Sequence, residues 1–222
     1  MKALIFDLDG TLVDSVYAHV LAFQIAFAEG GLVVEAWRIH RHIGMSGDLL
    51  TQAVTRDSGV SASSEKLKRV EQRHSELLHR LLPKPSPLPG AVALLKALRQ
   101  QRILHGIATS GKPGEMKLAL HGLGIGKGTV VVNRSDAPQA KPEPDLFLEC
   151  QKRLGVPPHE CYAAGDAIWD LLAARRAGML GIGLLTGGYS KEEMLGAGAY
   201  RVFTNPENLH QHLGELGLSG TD

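Results

Sequence analysis

The sequence predicts an α/β protein, a Rossmann-like parallel sheet with helices on both faces and a small inserted α-helical unit. Three observations carry this. Short apolar runs, each ending in glycine or polar residues, recur along the chain. Stretches of helical period separate most of them, and alternation of strand with helix is the pattern of a parallel sheet. Residues 15–85 break the alternation, because they hold helical patterns without a convincing strand, and so read as an insertion.

Ala3-Leu4-Ile5-Phe6 runs into Asp-x-Asp-Gly, the pattern of a buried strand that ends in a polar turn. In the insertion, Ser64 is placed to cap a helix whose Leu67, Val70, Leu77, Leu78 and Leu81 recur at helical spacing, ending at Pro83. The tract from Pro83 to Pro89 carries too many prolines for a helix or an internal strand and suits a semi-rigid connector. The other connector falls near Asp14-Ser15, so residues 1–14 and 86–222 form the core and 15–85 a helical cap. Two linkers on one side of a sheet let such a cap close over whatever sits there. Pro89-Gly90 then starts a helix from Ala91 to Gln101, with Val92, Leu94, Leu95 and Leu98 on one face. Further strands are expected at Ile103 to Ala108, Thr129 to Val132, Cys161 to Ala164 and Leu180 to Leu185, with helices at Pro144 to Leu154 and Leu171 to Ala177.

Composition narrows the range of functions. The 222 residues suit one compact domain with a modest insertion, and 44% hydrophobic residues supply a substantial core. Lys plus Arg number 24 against 23 Asp plus Glu, so no broad field favours nucleic acid or acidic membranes as partners. Cys150 and Cys161 lack paired metal spacing and fall short of a disulfide framework, which fits a reducing compartment. The apolar start Met1-Lys2-Ala3-Leu4-Ile5-Phe6 is interrupted by Asp7 and Asp9 before a signal-peptide core can form. A cytoplasmic protein is expected, and a monomer, because no extended apolar helix face lacks a role in the core.

The chemistry-bearing residues follow the strands. In Asp7-Leu8-Asp9-Gly10-Thr11-Leu12 two like charges sit two residues apart, and they repel unless a cation or a proton lies between them. Hard oxygen ligands of this kind suit Mg²⁺, which takes one or two carboxylates together with phosphate and water. Gly10 lets the backbone turn closely, with N–H groups free to face phosphoryl oxygens. Gly165-Asp166-Ala167-Ile168-Trp169-Asp170 repeats the logic, with both acids near a helix start and on one face. Standing alone such acids are usually caps, but beside the first pair they become metal ligands and ligand-orienting groups. Thr109 and Ser110 close another strand and offer hydroxyls to substrate oxygens, although a terminal hydroxyl more commonly satisfies local backbone donors. Lys141, ahead of a helix that tolerates Pro144 and welcomes Asp145, is the cation that such an acid-rich site needs.

In order and spacing these segments resemble the haloacid dehalogenase (HAD) superfamily of aspartate-nucleophile phosphatases, over nearly the whole chain. Asp7-Leu-Asp9-Gly-Thr-Leu resembles the first family motif, Thr109 the second, Lys141 the third, and Gly165-Asp166 with Asp170 the fourth. The helical insert is similar to the cap of the phosphoglycolate phosphatase and β-phosphoglucomutase-like branch. The resemblance implies that Asp7 attacks phosphorus and forms an aspartyl phosphate, while Asp9 protonates the leaving oxygen and later activates water. It also implies Mg²⁺ held by Asp7, Asp166 and the Asp9 backbone carbonyl, with Asp170 orienting these ligands and Lys141 and Thr109 stabilising the transferring group. A small phosphorylated metabolite is the implied substrate. The segment from Arg38 to Gly47 offers cations near a Gly-bounded turn, so Arg41, or His42 beside it, is a candidate contact for an anionic substrate, the alternative being a solvated helix with ordinary basic residues. His40 and His42 are too close together to count as a metal pair.

Other readings leave weaker marks. A phosphomutase would keep the whole constellation, whereas a dehalogenase would need neither Asp9 nor Mg²⁺. Phosphonate cleavage through a cap lysine is disfavoured, because no lysine lies between Lys2 and Lys66. Gly181-Ile-Gly183 and Gly122-Leu-Gly124 lack the full dinucleotide-binding fingerprint, and Lys127 precedes Gly128 rather than the Ser or Thr of a phosphate-binding loop. A silent interaction protein with this fold would not need every catalytic position filled.

Overall fold

A computed structural model describes residues 2–126 and 128–218. Met1, which opens the apolar start, and Lys127 lie outside the described residues. In chain order the elements are β1 (Ala3–Phe6), β2 (Val13–Asp14), α1 (Val16–Glu29), α2 (Ala36–His42), α3 (Gly47–Asp57), α4 (Ser64–Leu81), β3 (Ser86–Pro87), α5 (Ala91–Gln100) and β4 (Leu104–Ala108). They continue with α6 (Pro113–Gly122), β5 (Val130–Val132), α7 (Asp145–Leu154), β6 (Cys161–Gly165), α8 (Ile168–Arg176), β7 (Leu180–Leu184), α9 (Lys191–Gly196), β8 (Ala199–Phe203) and α10 (Pro206–Gln211).

Six strands form a parallel sheet in the order β5-β4-β1-β6-β7-β8, with Ala3 in register with Leu104 on one side and Cys161 on the other. Alternation along β1 divides the core in two. Leu4 and Phe6 pack with Leu94 and Leu98 of α5 and Met116 of α6, whereas Ala3 and Ile5 pack with Phe147 of α7 and Ala173 of α8. The strands therefore read as continuous apolar runs because both faces are covered.

Among the described residues, 15–85 carry four helices and no strand. They bury a cluster of their own around Phe23, Phe27, Ile39, Leu50, Val54 and Leu77. The two connectors run side by side, since Val13 pairs with Pro87 and Asp14 with Ser86 in an antiparallel two-residue ladder. The proline tract thus enters a sheet after all, at a two-strand edge where a missing N–H is tolerated.

Two local expectations shift. The cap of α4 is Ser63, not Ser64, because Ser63 has the extended backbone of a cap and its Oγ accepts from Lys66 N–H at 3.3 Å. The strand β8 escaped the apolar-run criterion because it is an edge strand whose Tyr200 and Arg201 face solvent. No helix among the described residues is long and apolar enough to cross a membrane.

Candidate active site

Asp7 follows β1, Thr109 follows β4, Asp166 follows β6, and Lys141 lies in the loop before α7. Adjacent parallel strands bring these positions together beyond their carboxyl ends, at the centre of the sheet where the strand order reverses. Asp7 N–H donates to the Ala164 carbonyl at 2.8 Å, carrying the β1–β6 ladder one residue past the strand and fixing the backbone that bears the carboxylate.

The chain then reverses. Gly10 N–H donates to the Val13 carbonyl at 2.8 Å, and the N–H groups of Leu12 and Val13 both reach the Leu8 carbonyl, at 2.9 and 3.1 Å. The turn consumes the Gly10 N–H itself, so that group is not among the donors left to face a phosphoryl oxygen. Gly10 is required for another reason as well. Its φ is +80°, and a Cβ there would sit 2.2 Å from Asp166 Oδ2. Gly187 approaches the same oxygen from elsewhere, with a Cβ position at 2.1 Å, so Asp166 is held between two glycines.

Asp7, Asp166 and Asp170 are all buried, and one carboxylate oxygen from each lies within 4.8 Å of the others. Thr11 Oγ1 donates to Asp166 Oδ1 at 2.7 Å. Asp170 is committed differently. It is the third residue of α8, ahead of which Asp166 stands in the loop, so the two acids flank the helix start rather than sharing its face. Asp170 Oδ2 accepts from Ala167 N–H at 3.0 Å, and Oδ1 lies 2.8 Å from Lys141 Nζ. Lys141, with no exposed surface, also donates to Asp7 Oδ1 and lies over the Phe147 ring at 4.9 Å. The lysine therefore bridges the Asp7 and Asp170 carboxylates from a buried position.

Three buried acids against one ammonium leave excess negative charge out of reach of bulk solvent screening. Burial pushes the Asp7 carboxyl up to about 7, Lys141 opposing and Asp170 and Asp9 reinforcing the shift. Burial likewise raises Asp166 well above the carboxylate range, with Asp170 and Asp7 adding to it. Crowded hard oxygen donors that resist ionisation fit a divalent cation, which removes the repulsion without a proton.

Asp9 points into a different environment. Its Oδ1 accepts from Ser15 Oγ at 2.7 Å and lies 3.4 Å from His19 Nε2. Behind His19, Nδ1 meets His74 Nε2 at 3.1 Å, and His74 stacks on Phe23 with ring centroids 3.7 Å apart. Burial alone would raise Asp9, but the hydrogen bond and charge of His19, together with Ser15, hold its carboxyl below the usual value. Burial would lower His19, yet its contact with Asp9 raises it, while burial drives His74 well below the ordinary imidazole value.

A cavity of ≈ 70 Å³ lies between α1–α4 and the strand ends, lined by Asp7, Asp9, Thr109 and Ser110 from the core side and by His19, Glu71, His74 and Ser75 from the helical side. Thr109 is buried, and its Oγ1 accepts from Gly111 N–H at 3.0 Å. Ser110 Oγ donates to the Gly44 carbonyl at 3.0 Å, joining the two parts. Arg41 is brought elsewhere. Its guanidinium pairs with Glu193 at 2.6 Å and lies over the Tyr189 ring at 4.2 Å, and its carbonyl accepts from Trp169 Nε1 and Tyr189 Oη at 2.9 and 3.0 Å. His42 stacks on Trp169 and faces Asp57 at 3.1 Å. Neither side chain lines the cavity, which corrects the placement expected for them.

Sequence reasoning passed over Thr11, Ser15, His19, His74, Glu71, Lys112 and Glu115. Thr11 and Ser15 stand inside or beside the Asp-x-Asp-Gly motif, and attention to hydroxyls near it would have found them. Glu71, His74, Lys112 and Glu115 carry no local signal for the side-chain partners they meet at Lys112, His19, Glu71 and Ser75, which lie 40 or more positions away.

A parallel sheet with an aspartate after its central strand, flanked by two further acids and a buried lysine, defines an acid-rich hydrolase site of the phosphoryl-transfer kind. Residues 1–178 match the family model described as a haloacid dehalogenase-like hydrolase. The phosphoglycolate phosphatase of Rhodospirillum rubrum is 31% identical over 220 residues, covering 96% of this chain and 91% of that protein. The β-phosphoglucomutase of Bacillus subtilis is 29% identical over 202 residues, covering 89% and 87%. A crystal structure of a hydrolase from Pseudomonas syringae superposes with a TM-score of 0.94 at 43% identity, covering 97% of this chain and 99% of that one. The chain belongs to the haloacid dehalogenase-like hydrolases, as a phosphoric monoester hydrolase of the phosphoglycolate phosphatase and β-phosphoglucomutase-like branch. Members of the family generally use a divalent metal.

Proposed function

We propose that the chain is a Mg²⁺-dependent phosphatase that hydrolyses a small phosphorylated metabolite through an aspartyl phosphate on Asp7, under a cap formed by residues 15–85. The observation that carries this reading is the approach of buried Asp7 and Asp166 oxygens to within 4.8 Å. These acids are the residues that would hold the cation, with the Asp9 backbone carbonyl beside them, and the ion would supply charge neutralisation and hold phosphate oxygens next to Asp7.

Asp7 supplies the attacking oxygen, forming one O–P bond as the bond to the leaving oxygen breaks. Asp9 donates a proton to that leaving oxygen, then takes one from the water that hydrolyses the intermediate. Ser15 and His19 orient the Asp9 carboxyl for both tasks. Lys141 holds Asp7 in its attacking orientation, and its positive charge, with the Thr109 hydroxyl, offsets charge on the transferring group.

The test is phosphate release from para-nitrophenyl phosphate and from a panel of phosphorylated metabolites, with Mg²⁺ and with a chelator. Metal-dependent turnover with a transient acid-stable phosphoenzyme supports the reading. Turnover that survives chelation, or none with any ester, overturns it.

A further inference from the structure

The cavity that Asp7 lines also carries charge that the proposed chemistry does not use. Lys112 is the only lysine or arginine among the described residues lining the cavity. Its Nζ is paired with Glu71 Oε1 of α4 at 2.7 Å. Next to it, Glu115 lies at the start of α6, its Oε1 accepting from Ser75 Oγ at 2.6 Å and its Oε2 from Lys112 N–H at 3.3 Å. Glu71 is seated where it is because Gly47 makes room: a Cβ at Gly47 would fall 2.8 Å from Glu71 Cγ. His19 does not redress the balance, since Asp9 faces it. The wall therefore holds two carboxylates against one ammonium, and that ammonium is already matched.

From this we infer that Glu71 is a specificity-determining residue which masks Lys112 and restricts the enzyme to monophosphate esters whose leaving group is neutral and hydroxyl-bearing. The inference rests on the phosphatase reading and deepens it. A substrate with a carboxylate or a second phosphate at its far end would meet Glu71 and Glu115, and would have to break the Lys112–Glu71 pair to find a cation. Hydroxyl groups meet the opposite situation. They donate to carboxylate oxygens, and a site built to accept from hydroxyls discriminates strongly against groups that cannot donate. The same wall disfavours a sugar bisphosphate, and so disfavours mutase turnover.

The experiment compares kcat/KM for glycerol 1-phosphate and sorbitol 6-phosphate with that for phosphoglycolate, in the wild type, Glu71→Gln, Lys112→Met and the double variant, each checked for fold by circular dichroism. The wild type is expected to favour the polyol esters by at least about tenfold. Glu71→Gln should raise kcat/KM for phosphoglycolate by at least about tenfold, and adding Lys112→Met should remove that gain. Wild-type preference for phosphoglycolate, or a Glu71→Gln gain that survives loss of Lys112, overturns the inference while leaving a phosphatase. Absence of turnover with every ester overturns the phosphatase reading itself, and the inference with it.

Discussion

Lys141 Nζ lies 2.8 Å from Asp170 Oδ1, and neither side chain has any surface exposed to solvent. The same ammonium donates to Asp7, so removing it would leave two buried carboxylates without their cation. Breaking a buried pair from one side costs about 3–5 kcal/mol, far more than an exposed pair contributes. Lys141→Met is therefore expected to lower the melting temperature by about 6 °C or more and kcat by at least about a hundredfold. Thermal melts and steady-state rates check both. A variant with normal stability would show that the bridge is not a structural strut.

Asp7→Asn keeps the volume and removes the proposed nucleophile together with one buried carboxylate. The variant is expected to fold and to lose at least about a thousandfold in kcat, with no phosphoenzyme detectable after rapid acid quench. Near-normal turnover would exclude Asp7 from covalent catalysis.

The parts of this site that were legible in the sequence are those written in local order. Asp7, Thr109 and Asp166 each end an apolar run, and parallel strands bring such ends together, so their meeting followed from the alternation of strand and helix. Lys141 was found by charge balance rather than by pattern. The charged cavity wall was not legible, because Glu71 and Lys112 are brought together by the approach of α4 to the start of α6, which no spacing encodes. Arg41 misled for the same reason: a basic residue near a glycine looks like a ligand contact until Glu193 and Tyr189, some 150 positions away, are seen to hold it. Edge strand β8 and the six-residue helices α9 and α10 lacked the period or length that a sequence window detects.

His19 holds Asp9 from outside the reacting atoms, as a positioning residue. Burial presses the Asp9 carboxyl upward, and the His19 contact is the largest influence that brings it down. In His19→Ala, Asp9 should therefore rise, moving the limb of the kcat–pH profile that reports ionised Asp9 to higher pH. At neutral pH kcat should fall about tenfold to a hundredfold with a smaller change in KM. An unshifted profile with the same loss of rate would indicate damage to the packing of α1 rather than to Asp9.

The crowding of Asp7 and Asp166 makes metal-free stability depend on pH in a definite direction. The Asp7 carboxyl is raised from an ordinary 3.8 to about 7, and Asp166 is raised as well. Between those values the folded chain binds more protons than the unfolded chain, so the contribution of these groups to stability falls as pH rises through that window. Above it Asp7 is ionised beside Asp166 and Asp170 with Lys141 as the one cation in contact among the described residues, a crowding that a divalent cation relieves. In the presence of a chelator, wild type should lose several degrees of melting temperature relative to Asp7→Asn between pH 5 and pH 8, at about 2–4 °C per kcal/mol for a chain of this size. Added Mg²⁺ should raise the wild-type melting temperature more at pH 8 than at pH 5, because protons compete for the same oxygens at the lower pH. Differential scanning fluorimetry at the two pH values, with and without Mg²⁺, measures both effects. An equal Mg²⁺ gain at the two values would mean that the ion does not depend on ionising these carboxyls, and would separate metal binding from the acid cluster.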